Sequence, residues 1–122
     1  MMEVIKVETE GQPVAVVRSW PDIIDDVQTA LDLMATVQYE TGCDRIVIPQ
    51  ALFSARFYDL STKLAGDILQ KYTNYGTKLA IVGDFSQLTS KSLRDFIYEC
   101  NHGRQFAFLP TEQDAIHKLG AL

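Results

Sequence analysis

Short runs of β-branched residues open the chain and predict two strands. The first run covers residues 4–7 (VIKV) and the second covers residues 14–17 (VAVV). Residues 10–13 (EGQP) lie between them, and a Gly-Gln-Pro sequence is typical of a turn. The simplest connection over this distance is antiparallel, so the pattern predicts an N-terminal β-hairpin.

The next segment has the spacing of an amphipathic helix. Its apolar residues recur at steps of four and three, at Ile23, Val27, Ala30, Met34 and Val37. Asp22, Asp25 and Asp26 lie near the predicted first turn, where negative charge is favourable. We expect this helix to end near Gly42, because glycine readily adopts the left-handed conformation of a helix C-terminus.

Three further apolar runs, separated by helical patterns, complete the predicted sheet. These runs cover residues 45–48 (RIVI), 78–82 (KLAIV) and 105–109 (QFAFL). The strands are too apolar to leave one face of the sheet in water, and the helices between them suit crossover connections. The sequence therefore predicts an α/β fold of order ββαβαβαβα, with a mostly parallel five-stranded sheet and an N-terminal β-hairpin.

The remaining helices are predicted from apolar stripes and end signals. The second helix is expected to bury one continuous face made of Phe53, Phe57, Leu60, Leu64, Ile68, Tyr72 and Tyr75. The third buries Leu93, Phe96, Ile97 and Cys100 and ends at residues 101–103. The fourth begins with a capping box at residues 111–114 (TEQD) and ends at Gly120.

Length and charge limit the classes of function. A chain of 122 residues with 47% apolar content predicts one domain, residues 1–122, and the net charge of −5 disfavours nucleic acid as a partner. No secretory signal or membrane span is recognised, so we expect a cytoplasmic location. Cys43 and Cys100 are far apart, which predicts two buried thiols rather than a disulfide or a metal site. No metal and no cofactor are predicted.

One segment of the second helix combines an acid, two hydroxyls and two small residues. Residues 57–66 (FYDLSTKLAG) contain Asp59, Ser61 and Thr62, followed by Ala65 and Gly66. The two small residues are expected to allow close approach of a neighbouring element, because a glycine inside a helix otherwise costs about 1 kcal/mol. The polar residues have a purely structural interpretation, in which Asp59 or Ser61 caps a helix.

The segment and the order of elements also carry a resemblance. The order ββαβαβαβα resembles the STAS, or anti-sigma-factor-antagonist, fold, in which an Asp-Ser-Ser-Gly-like motif precedes an apolar helix after the third strand. Residues 59–86 (DLSTKLAGDILQKYTNYGTKLAIVGDFS) and 92–103 (SLRDFIYECNHG) are similar to an uncharacterised bacterial family of domains of unknown function with a STAS-like fold. This similarity spans nearly the whole chain, but the family has no established activity to carry over.

The resemblance to STAS proteins implies a switch controlled by a partner. In those proteins a kinase-like regulator phosphorylates the motif hydroxyl, and the added charge ends binding to the partner. The acceptor here would be Ser61 or Thr62, with Asp59 beside it. Leu60 interrupts the motif, and no glycine directly follows the hydroxyls. If the second helix begins near residue 51, both hydroxyls lie inside a helix rather than at its start.

A second candidate site follows the fourth strand. Gly83, Asp84, Phe85 and Ser86 lie at the carboxyl end of that strand, where open α/β sheets commonly bind ligands. Asp84 also has a structural interpretation, as a residue that binds the amides of its own loop. The basic residues Lys63, Lys71, Lys78, Lys91, Arg94 and Arg104 form either an anion-attracting face or scattered solvated charges.

Catalysis is the less favoured interpretation. Ser61, His102 and Asp84 are the residues from which a triad could be drawn, but the chain has no GxSxG nucleophile elbow. Trp20, Tyr58, Tyr75 and Tyr98 would serve either as anchors for a protein partner or as the periphery of the core.

The sequence therefore predicts a regulatory domain that binds an unidentified protein, responds to phosphorylation at Ser61 or Thr62, and pairs as a homodimer. The alternative is a small-ligand-binding or hydrolytic α/β domain that uses Asp84 and the carboxyl ends of the strands.

Overall fold

A computed structural model describes residues 2–122 and confirms a mixed α/β fold with a five-stranded sheet. The strands are β1 (Glu3–Val7), β2 (Val14–Ser19), β3 (Arg45–Pro49), β4 (Lys78–Val82) and β5 (Phe106–Leu109). The helices are α1 (Val27–Thr41), α2 (Ala55–Tyr58), α3 (Leu64–Asn74), α4 (Lys91–Asn101) and α5 (Glu112–Ala121). Two short 3₁₀ turns, Gln50–Leu52 and Leu60–Thr62, flank α2.

The strands lie side by side in the order of the chain. β1 and β2 pair antiparallel, which confirms the predicted N-terminal hairpin. β2, β3, β4 and β5 pair in parallel with their neighbours. Because these four strands run in one direction, the loops that follow them meet at one edge of the sheet, the carboxyl edge, and the loops that precede β3, β4 and β5 meet at the opposite amino edge.

The two faces of the sheet are covered unequally. Alternate residues of β2 show this: Ala15 and Val17 point into a core shared with α1, α2, α3 and α4, whereas Val14 and Val16 point into a smaller core beneath α5. The large cluster holds most of the buried aromatic and aliphatic side chains, so it carries the greater part of the hydrophobic stabilisation.

The first helix begins four residues later than the apolar spacing predicts. The Asp26 backbone is extended, and its carboxylate accepts a hydrogen bond from the Thr29 amide at 2.7 Å, which caps the helix. Ile23 therefore lies outside the helix and is 54% exposed, while Ile24 is buried and forms an isolated parallel bridge with Phe53. The predicted end is confirmed, since Gly42 has φ 72°.

The prediction of one continuous second helix is wrong. The segment is divided into a 3₁₀ turn, α2, a second 3₁₀ turn and α3, because polar side chains take the backbone hydrogen bonds that a helix would use. Lys63 has φ 65° immediately before α3, a left-handed conformation that interrupts any helix. Tyr75, expected in the core, is 63% exposed.

The interpretation of Gly66 as a close-packing residue is also wrong. Ala65 is buried, but Gly66 lies on the exposed side of α3, where an added Cβ would meet no atom within 4 Å. Close approach by a glycine occurs instead at Gly83, the residue after β4. A Cβ at that position would overlap the side chain of Gln50.

The last helices follow the predicted patterns in part. In α4, Leu93 and Ile97 are buried as predicted, whereas Phe96 and Cys100 are half-buried. Thr111 caps α5 by accepting from the Asp114 amide at 3.0 Å. At the end of α4, the Asn101 carboxamide binds the edge of β5: it donates to the Phe108 carbonyl at 3.1 Å and accepts from the Phe108 amide at 2.7 Å.

The two cysteines differ in how deeply they are buried. Both are free thiols, but only Cys43 is buried as predicted, and Cys100 is half-buried. Within residues 2–122, every helix is too short or too polar to cross a membrane.

Candidate functional site

The carboxyl edge of the sheet brings the two predicted sites together. Residues 20–26 follow β2, residues 50–63 follow β3 and residues 83–90 follow β4. We use the term carboxyl-edge surface for the exposed side chains of these three loops. Asp59, Ser61, Asp84 and Ser86 all belong to it.

Asp59 organises the turn between α2 and α3. One carboxylate oxygen, Oδ1, accepts a hydrogen bond from the Ser61 amide at 3.1 Å and another from the Ser61 hydroxyl at 2.6 Å. The hydroxyl bond is the largest contribution and the amide bond the second, and together they lower the pKa of Asp59 below its ordinary value. Asp59 is therefore a carboxylate at neutral pH, and the exposed Ser61 hydroxyl points its proton at it.

Thr62 has a different environment from Ser61. Its hydroxyl shares a proton between the carbonyl oxygens of Arg56, at 2.7 Å, and Asp59, at 2.8 Å, and it accepts from the Leu64 amide at 3.3 Å. The hydroxyl thus connects the end of α2 to the beginning of α3. Of the two predicted hydroxyls, only that of Ser61 is free of backbone contacts to other elements.

Asp84 repeats the arrangement of Asp59 after the next strand. Its Oδ1 accepts from the Ser86 amide at 2.9 Å and from the Ser86 hydroxyl at 2.6 Å. These bonds, the hydroxyl first, lower the pKa of Asp84. Both sites are therefore Asp-x-Ser turns with the same hydrogen bonds. The shared spacing is a signal in the sequence that could have linked them, although each was interpreted separately.

An aromatic contact holds the two turns next to each other. Tyr58, which precedes Asp59, has its ring centroid 6.4 Å from that of Phe85, which lies between Asp84 and Ser86. The Tyr58 hydroxyl donates to the Gln50 carbonyl at 2.9 Å, and burial raises its pKa above the ordinary value. Both rings are half-buried against the large core, so they fix the turns while leaving the four polar side chains in solvent.

The carboxyl-edge surface is acidic. Its charged residues are Asp22, Asp25, Asp26, Asp59 and Asp84, with Arg56 and Lys63, which gives five acids and two bases and a net charge of −3. Arg56 donates to the Asp25 carbonyl at 2.9 Å and lies 3.4 Å from its carboxylate. The pKa of Asp26 is lowered, mainly by the hydrogen bond from Thr29. The exposed Ile23 adds an apolar side chain to this acidic surface.

The histidine of the conceivable triad lies elsewhere. His102 follows α4 at the amino edge, where its Nδ1 is 2.7 Å from the Tyr98 carbonyl oxygen. Ser61 and Asp84 lie at the carboxyl edge, and each already forms a hydrogen bond within its own turn. The structure therefore does not assemble Ser61, His102 and Asp84 into one site.

The basic residues are divided between the two edges. Lys63 lies at the carboxyl edge, and Arg94, near the start of α4, donates to the Leu88 and Thr89 carbonyls. Lys78, at the start of β4, donates to the Arg104 carbonyl at the amino edge. These residues do not form one continuous anion-attracting face.

The predicted aromatic anchors are likewise divided. Trp20 and Tyr58 are half-buried against the large core, whereas Tyr75 and Tyr98 are exposed. Tyr98 stacks on His102, with ring centroids 4.0 Å apart. No group of three or more potential metal ligands occurs among the described residues.

Comparison with known protein families gives a match over most of the chain. A family model described as a domain of unknown function (DUF4180) covers residues 9–119. No curated protein and no solved structure matches the chain significantly.

Proposed function

The chain belongs to this family of unknown function (DUF4180), and we propose that it is a regulatory domain that binds another protein through the carboxyl-edge surface and releases it when Ser61 is phosphorylated. We further propose that its fold is STAS-like and that it works in the bacterial cytoplasm. The order of strands and helices, the N-terminal hairpin and the Asp-Ser turn ahead of an apolar helix support the fold assignment.

The observation that carries the proposal is the position of Ser61. It lies exposed in a 3₁₀ turn just before α3, outside any α-helix, and its side chain holds no other element in place. A kinase needs an accessible acceptor whose modification does not unfold the domain. Ser61 meets both conditions, whereas the Thr62 hydroxyl is bonded to backbone groups on both sides of the turn.

Phosphorylation would change the charge and the hydrogen bonds of this turn. Esterification removes the proton that Ser61 donates to Asp59 and places a charge of about −1.5 to −2 beside that carboxylate. Repulsion between the two anions would then open the Asp59 turn. The altered turn packs through Tyr58 against Phe85, so the Asp84 turn lies within reach of the change.

The carboxyl-edge surface suits a protein partner with a basic contact region. Its net charge of −3 would attract such a partner and orient it, and the exposed Ile23 supplies apolar area for the contact. A phosphate at Ser61 makes the surface more acidic, so release would come from the altered shape of the turn rather than from charge alone.

The experiment compares binding partners of the wild-type protein with those of three variants. Ser61→Asp mimics the charge, Ser61→Ala removes the acceptor, and Ser92→Asp places the same charge on an exposed serine of α4. We expect wild type, Ser61→Ala and Ser92→Asp to retain a partner that Ser61→Asp loses. Mass spectrometry of the native protein should detect phosphate on Ser61. The proposal fails if Ser61 is unmodified under all growth conditions and Ser61→Asp keeps every partner.

A further inference from the structure

A cleft lies at the amino edge of the sheet, away from the carboxyl-edge surface. It forms where the chain leaves α4 and turns through residues 102–105 into β5. Its volume is about 320 Å³, at the lower end of the range for small-molecule sites, which is about 300–1,000 Å³. Phe96, Cys100 and Phe106 form its walls, and Glu99, Arg104 and Gln105 lie at its rim.

The walls of the cleft favour an apolar ligand group. Phe96 and Phe106 are half-buried: each packs against the large core with part of its ring and leaves the rest open to the cleft. Cys100 is also half-buried, and it lies on the same side of α4 as Phe96, one helical turn further along. An aromatic ring entering this space would replace water on two ring surfaces, which is the usual source of affinity in such sites.

The rim carries a positive charge that no acid neutralises directly. Arg104 is exposed, and within the described residues its guanidinium forms no ion pair or hydrogen bond. The Lys78 ammonium lies beside the same turn, donating to the Arg104 carbonyl at 3.3 Å. Among the residues that line the cleft, the charged ones are Arg104 and Glu99. A guanidinium binds a carboxylate in two parallel hydrogen bonds, which makes a carboxylate the matching polar group.

We propose that this cleft binds a small aromatic carboxylic acid, with its ring against Phe96 and Phe106 and its carboxylate on Arg104. The cleft lies at the opposite edge of the sheet from the carboxyl-edge surface, so a negative result for one proposal does not affect the other.

The test uses phenylacetate as the probe and calorimetric titration as the measurement. Phenethylamine and benzyl alcohol serve as cationic and neutral probes of similar shape. We expect saturable binding of phenylacetate and at least roughly tenfold weaker binding of the other two, since only the acid pairs with Arg104. Arg104→Gln should weaken phenylacetate by roughly tenfold, whereas Lys6→Gln, which removes a charge from β1, should leave it unchanged.

Cys100 provides an independent readout in the wild-type protein. Cys100 lines the cleft and is half-buried, while Cys43 is buried, so alkylation by iodoacetamide under native conditions reports on Cys100. Bound phenylacetate should slow this alkylation at least roughly threefold at saturating probe. Absence of saturable binding, equal binding of phenethylamine, or an unchanged affinity in Arg104→Gln would each overturn the proposal.

Discussion

The Asn101 carboxamide offers a stringent test of how the edge of β5 is stabilised. It donates to one backbone group of Phe108 and accepts from the other, as a neighbouring strand would. Asn101→Ala removes both hydrogen bonds and keeps the residue compatible with the end of a helix. The interaction of Lys118 with the Asn101 carbonyl, at 2.6 Å, involves the main chain and is not removed.

The expected cost follows from these two bonds. A hydrogen bond within a protein contributes about 1 kcal/mol net, so losing both should destabilise the domain by about 2 kcal/mol. Alanine favours a helix over asparagine by about 0.5 kcal/mol, which offsets part of the loss. For a domain of this size, 1 kcal/mol corresponds to about 4 °C in melting temperature, so Asn101→Ala should melt roughly 6 °C lower.

Asn74→Ala is a matched control, because Asn74 is the last residue of α3 and accepts only an exposed hydrogen bond from Gln70 at 3.1 Å. The same change of propensity applies there, but the lost interaction is worth only about 0.3 kcal/mol. Urea denaturation followed by circular dichroism gives both values. If Asn101→Ala and Asn74→Ala agree within about 0.5 kcal/mol, the edge contact does not stabilise the fold as argued.

Three further predictions concern the carboxyl edge. Lys63→Gly should raise the free energy of unfolding, measured by urea denaturation, by about 0.5–1 kcal/mol, because glycine adopts φ 65° without the steric cost of a side chain. An unchanged or lower free energy of unfolding would show that the left-handed backbone at Lys63 is not strained. The hydrogen bonds from Ser61 stabilise the ionised Asp59 carboxylate and so lower its pKa; this stabilisation is complete above the ordinary pKa of 3.8 and is lost as the pH falls through the lower pKa of the folded protein. Ser61→Ala should therefore raise the pKa of Asp59 in a carbon-13 NMR titration, and an unchanged pKa would contradict the role of the hydroxyl. Gly83→Ala should destabilise the domain by about 1–3 kcal/mol in the same urea assay, since the new methyl group overlaps Gln50, and a neutral effect would mean that the 3₁₀ turn moves aside freely.

The spacing of apolar residues correctly predicted the elements that are determined mainly by burial of apolar side chains. The strands 45–48 and 78–82 and the helix stripe containing Leu93 and Ile97 are recognisable because burial alone selects their residues. The hairpin and the glycine end of α1 follow from turn chemistry that is equally local.

The failures occurred where polar side chains compete with the helix. The stripe from Phe53 to Tyr72 has helical spacing throughout, but Asp59 and Thr62 bind backbone amides and carbonyls and divide it. Asp26 shortens α1 in the same way, since capping one amide fixes where the helix starts. This competition for hydrogen bonds depends on which backbone groups lie within reach of each polar side chain. The spacing of apolar residues carries no information about that distance.

The candidate site was predictable in its residues but not in its arrangement. Asp59, Ser61, Asp84 and Ser86 were all recognised from their neighbours in the chain. Their proximity depends on β3 and β4 being adjacent and parallel, and on the contact between Tyr58 and Phe85. Contacts between residues 27 positions apart cannot be read from spacing along the chain.

The unequal edges of the sheet determine how copies of this chain could join. At β5, the Asn101 carboxamide occupies both backbone groups of Phe108, whereas β1 pairs only with β2 among the described residues. Main-chain pairing between two molecules is therefore favoured at β1. Two β1 strands that meet antiparallel would pair the free β1 edge of one molecule with that of the other. Such a pairing would form one ten-stranded sheet, with an Asn101 carboxamide bonded to Phe108 at each outer strand.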